Sequence, residues 1–137
     1  DLVRSRGLGD VYKRQIQTDA VKNYLIPKMN YRENLQWLAY AEEADILNVA
    51  LFGFTAKAWR EANPELAKKN NVRDFATINE LTVLSNLESH NAQMIKEGKK
   101  KEERFKILQE IAEYQLNVLN TAEKIKMLED ENQLVEI

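Results

Sequence analysis

No cysteine occurs in the sequence, so whatever chemistry the chain does is not thiol chemistry. That excludes disulfides, thiolate metal sites and cysteine nucleophiles. Glu42, Glu43 and Asp45 form an acidic cluster that could in principle pair a general acid with a general base. No nucleophile and no phosphate-cradling glycine loop stands near it in sequence, so a solvated or ion-paired helix face is the simpler reading. His90 is the single histidine, and neither Glu-x-x-His nor His-Glu-x-x-His occurs. Neither a catalytic residue nor a metal ligand nor a cofactor is expected.

Polar residues placed on apolar helix faces say more. In a helix from Thr77 to Lys96, the rotation of about 100° per residue puts Leu81, Leu84, Leu87 and Ile95 on one face. Glu88 and Asn91 fall inside that face, and Asn48 raises the same question in the apolar run Ala44–Phe52. Such groups cost free energy when buried unless they find partners. Arg60 and Arg73, the latter beside Asp74, are the candidate partners. Two readings stand: a ligand pocket built from these groups, or an internal network that sets how the helices register. A third cluster, Glu43, Asp45, Arg73 and Asn91, would be the machinery if the chain were an enzyme.

These residues need helices to position them. The chain has 137 residues, is 31% charged, and carries 4 glycines and 2 prolines, a mix that favours helix. The fold expected is all-α, a compact domain of about five helices with a long C-terminal one. Ile16–Ile26 reads as the tail of a helix stopped by Pro27, which should bias Ile26 away from helical angles. Asn30 with Glu33 makes a capping box for a helix to Phe52, and Gly53 is placed to end it. Thr55 caps a short helix closed by Asn63-Pro64, and Glu65–Arg73 is a polar connection. Thr77 with Glu80 opens the next helix and Gly98 stops it. Lys96–Lys106 is locally basic, with acids interleaved, and reads as a solvated turn. No run is apolar enough to cross a membrane.

The last helix carries a heptad seam. Ile111, Val118, Ile125 and Asn132 take the a positions, and Tyr114, Thr121, Leu128 and Val135 the d positions. One Asn at an a position is a device for fixing register and oligomer state, and Lys124 at g would meet Glu129 at the following e of a parallel partner. A homodimer, or a single helix lying along the core, both fit this pattern.

Residues 1–15 read apart from the rest. Ser5–Gln15 (SRGLGDVYKRQ) has no apolar period and looks like the in-frame translation of a transposon end used in sequencing libraries, with TAT AAG AGA CAG for Tyr12–Gln15. The segment is expected to be disordered or extended, ahead of a helical domain at 16–120 and a helical extension or tail at 121–137. The chain then reads as a metagenomic fragment whose true upstream sequence is missing. Without the first fifteen residues the charge is 16 basic against 20 acidic, a net of −4. That is a poor footprint for a nucleic-acid surface.

Glu43–Asn63 (EADILNVALFGFTAKAWREAN), then Asn71-Val-Arg-Asp74, Leu84-Ser-Asn-Leu-Glu88, His90-Asn-Ala92 and Gly98, resemble the C-terminal region of phage and prophage KilA-N domain proteins. RhuM-type virulence-associated proteins share that block. Ile16-Gln-Thr-Asp-Ala20 and Asn23-Tyr-Leu-Ile-Pro27 resemble the segment leading into it. The likeness spans about Ile16 to Leu119 and takes in Glu43, Asp45, Asn48, Arg60, Arg73, Asp74, Asn86, Glu88, Asn91 and Arg104. Lys99-Lys100-Lys101 departs from the Leu-Ser-Gln-like turn of the pattern. The resemblance implies an accessory helical domain in the cytoplasm of a bacterial host. DNA would be bound only by a KilA-N domain upstream, and this part would position or dimerise it. Recruitment of a host protein is the alternative.

Overall fold

The computed structural model describes residues 12–28 and 36–135, without the side chains at 37, 38 and from 132 onward. Helix and helical turns make up every regular element among them. α1 (12–20) begins four residues earlier than the apolar pattern suggested. Residues 12–15 of the segment expected to be disordered or extended are therefore helical. Nothing in Tyr12–Gln15 breaks a helix, and the Lys13 ammonium reaches Asn86 Oδ1 at 2.7 Å. Residues 1–11 lie outside the described residues, as does the capping box expected at Asn30 and Glu33.

α1 widens into a π turn, Val21–Leu25, and tightens into a 3-10 turn, Ile26–Lys28. Ile26 keeps helical angles (φ −56°, ψ −42°), contrary to the bias expected before Pro27. A proline ring clashes with the carbonyl four residues earlier in a regular helix. The π turn bonds Ile26 N–H back to Val21 O instead and gives the ring room.

α2 (Trp37–Phe52) ends as read, at Gly53, whose φ of 86° puts it in the left-handed region. α3 (Ala56–Ala62) is capped by Thr55, whose hydroxyl accepts from Ala58 N–H. The polar connection after it is more structured than a loop, with 3-10 turns at Leu66–Lys68 and Val72–Phe75. α4 (Ile78–Lys96) opens with both halves of the capping box, Thr77 Oγ taking Glu80 N–H and Glu80 Oε1 taking Thr77 N–H. At its other end Gly98 has φ 81°, with Lys99 N–H on Met94 O and Gly98 N–H on Ile95 O. That is the Schellman arrangement, which satisfies carbonyls the helix leaves open. α5 (Lys101–Val135) then runs 35 residues without a break.

α2, α4 and α5 make the core, α4 antiparallel to the other two. Ile46, Leu47 and Ala50 of α2 meet Val83, Leu84 and Leu87 of α4 and Leu108 and Ala112 of α5. A smaller cluster joins Ala20 and Val21 to Ala39, Ala92 and Ile95 and so fastens α1 across the far end. Asn91 beside Arg104, Asn86 beside Gln115 and Asn79 beside Asn120 fix the α4–α5 register. Because α4 starts at Ile78, α5 beyond Glu123 passes the end of the core and projects by about 18 Å at a rise of about 1.5 Å per residue. Among the described residues no helix is long and apolar enough to cross a membrane.

Candidate functional site

The polar residues singled out on apolar faces separate into distinct sites. Glu43, Asn91 and Arg104 lie together between α2, α4 and the start of α5, each at most 2% exposed. Arg104 grips both oxygens of Glu43, through Nη1 on Oε1 and through Nη2 on Oε2 at 3.1 Å. The same Nη1 donates to Asn91 Oδ1 at 2.8 Å, and Arg104 Nε donates to Lys99 O at 3.1 Å. Asn91 Nδ2 completes the set by donating to Glu43 Oε1 at 2.8 Å and to Gln17 Oε1 of α1 at 3.1 Å. A two-pronged guanidinium–carboxylate pair whose remaining donors and acceptors are bonded is the arrangement in which buried charge is tolerated. It ties four helices at one point.

Arg104 lies in the stretch whose local composition reads as a solvated turn, although the resemblance takes it in. The signal was present, because Arg104, Leu108 and Ala112 recur every four residues and all three are buried. Glu43, which its neighbours suggest lies on a solvated or ion-paired face and which the resemblance sets among the polar positions, is likewise buried. Its neighbours behave as expected of such a face: Glu42 pairs with Lys101 at 3.5 Å and Asp45 is exposed. Of the two arginines proposed as partners, Arg73 reaches Glu88 Oε1 at 3.3 Å, with Glu88 buried. Arg60 is exposed and takes no part.

The rest of that set is dispersed. Asp74 takes Asn71 N–H in a capping box, and Asn86 bridges Lys13 and Gln115. Asn48 Oδ1 and Ser85 Oγ are buried without a hydrogen-bond partner among the described residues. Glu43, Asp45, Arg73 and Asn91 therefore do not converge on one open cleft. His90 is exposed at the rim of a cleft of about 510 Å³ between α1 and α4, where Lys96 Nζ stands 6.0 Å from the Tyr24 ring centroid. Among the described residues no three His, Asp or Glu side chains are grouped to hold a metal ion.

The seam of α5 is open. Tyr114 is 71% exposed, and Val118, Thr121, Ile125 and Leu128 are exposed as well, while Ile111 is half-buried at the edge of the core. Tyr114, Val118, Thr121 and Ile125 border a shallow groove of about 460 Å³ with Asn117 and Ala122. Asn132 and Val135 continue the helix, but their side chains lie outside the described residues. The core-facing row of α5 (Leu108, Ala112 and, half-buried, Leu116 and Leu119) lies on a different side.

Fold and sites define a small antiparallel helical bundle fastened by a buried ion pair, with a helix that outruns its own core. No family model, no curated protein and no solved structure matches this chain.

Proposed function

We propose that this chain is a non-catalytic helical accessory module that pairs with a second copy of itself through α5. Following the resemblance to KilA-N domain proteins, its task in a phage or prophage protein is to position and dimerise a DNA-reading domain upstream, inside a bacterial cytoplasm. The observation that carries the pairing is the exposed apolar row Tyr114, Val118, Ile125 and Leu128 at heptad spacing. Water-exposed apolar groups of this number and regularity are stabilised by a matching surface. A parallel second α5 supplies one and sets Lys124 against Glu129 across the seam. Dimerisation serves a DNA reader because two half-sites on one duplex are then engaged as one linked event.

Light scattering at tens of micromolar tests the pairing. Twice the monomer mass is expected for the chain, and the monomer mass for Val118→Glu with Ile125→Glu at unchanged helicity. A monomer throughout, unaltered by Asn132→Ile, would falsify the reading. The upstream role is tested separately, by a gel shift on the intact reading frame with and without the two glutamates. Loss of affinity and of salt dependence on breaking the dimer is the expected result.

A further inference from the structure

The segment from Gly53 to Ala76 is built from a short helix and two 3-10 turns yet contributes little to the core. α3 buries no residue, and of the two 3-10 turns only the second buries one, Val72. Polar ties hold the lobe in shape. Thr55 caps α3, Asn63 Nδ2 donates back to Trp59 O at 2.9 Å, and Asn71 with Asp74 closes a capping box. Arg73 pins the lobe to α4 through Glu88.

What the lobe displays is aromatic and cationic. Trp59 packs on Phe75 with ring centroids 5.8 Å apart, and Phe75 is 54% exposed. Phe54, stacked on Phe52 at 6.0 Å, is exposed too, as is Leu66. Residues 53–76 hold five basic and three acidic side chains, in a chain whose net charge is −2. Among the described residues Lys57, Arg60 and Lys69 form no ion pair and are exposed.

We propose that this lobe is a docking surface for an acidic polypeptide segment with aromatic or aliphatic anchors, carried by another protein. Trp and Arg are the residues over-represented among those that dominate interface energies, and a platform held rigid beforehand loses less freedom on binding. Charge complementarity selects an acidic partner. A nucleic-acid strand fits less well, because five basic against three acidic side chains leave a small positive excess for a phosphate backbone, and Leu66 offers no stacking face. The proposal does not depend on pairing through α5.

The probe is a fluorescein-labelled copolymer rich in glutamate with interspersed tyrosine, titrated with the full chain and followed by anisotropy. Saturable binding is expected, with polyglutamate weaker. The affinity loss should be about tenfold or more for Arg60→Glu with Phe75→Ser, the scale of removing one dominant contact. Lys57→Glu with Lys69→Glu gives a second reading on side chains that bear no structural load. Amide chemical-shift changes should fall within residues 53–76, and the Val118→Glu, Ile125→Glu chain should bind equally. Absence of saturable binding at hundreds of micromolar, full binding by both lobe variants, tighter binding of a labelled oligo-dT, or a change of oligomer mass on mutating the lobe would each overturn the proposal.

Discussion

Removing one member of the Glu43–Arg104 pair strands the other where water does not reach, since both are about 2% exposed. Arg104→Met is therefore expected to lower unfolding stability by about 3–5 kcal/mol, and Glu43→Leu by a similar amount. Both substitutions together should recover much of the loss, because an apolar pair of similar volume replaces two charges and no orphan remains. Urea unfolding of the four chains, read as a double-mutant cycle, checks this. Additive losses would mean that the two side chains do not meet in solution. At this scale the sequence was half legible. Glu88, Asn91 and Asn48 betrayed themselves as polar residues in apolar rows. Periodicity does not betray Glu43 and Arg104, which enter only with the resemblance, since each sits among other charged residues (Glu42 and Asp45; Lys99–Glu103) and local charge density hides a single buried member. Telling which carboxylate of a cluster turns inward requires the facing helix, which only the tertiary structure provides.

Helix ends were the most legible elements, because caps are local chemistry with fixed offsets. Thr77 with Glu80, Thr55 and the two left-handed glycines all act where the sequence placed them. The π turn at Val21–Leu25 and the 3-10 turns around Leu66 and Val72 were not read, because they answer to packing and to Pro27 rather than to apolar period. Gly98 offers the sharpest test at this scale. A Cβ there would come only to 3.5 Å of Lys28 Nζ, which is ordinary contact, so space is no obstacle. The φ of 81° is one that alanine adopts unwillingly. Gly98→Ala should thus destabilise by about 1 kcal/mol through backbone strain alone, and Gly98→Asn by less. Thermal melts of the two variants should keep that order. Equal melting would indicate that the turn shifts out of the left-handed region and that the Schellman bonds reform elsewhere.

For the whole molecule the question is where the domain stops. The sequence reading ends the helical domain at position 120, although the heptad pattern runs through that position and marks no boundary of its own. The α4–α5 register supplies one: Asn79 meets Asn120 and Glu123, and every described side chain from 120 to 131 is exposed. A chain ended after Glu123 keeps both hydrophobic clusters and the buried ion pair. Its melting temperature at low concentration should fall by less than about 4 °C, the shift of a sub-kilocalorie change in a domain this size. The same chain lacks Ile125, Leu128, Asn132 and Val135, half of the a and d positions, and should scatter light as a monomer. Folding and pairing would then reside in different parts of one helix. If the shortened chain unfolds, the tail belongs to the core and the register argument fails. Should it remain folded and dimeric, the seam is not the interface, and pairing must use another exposed apolar surface, Tyr12 and Ile16 of α1 with Tyr24 of the π turn being the next to examine.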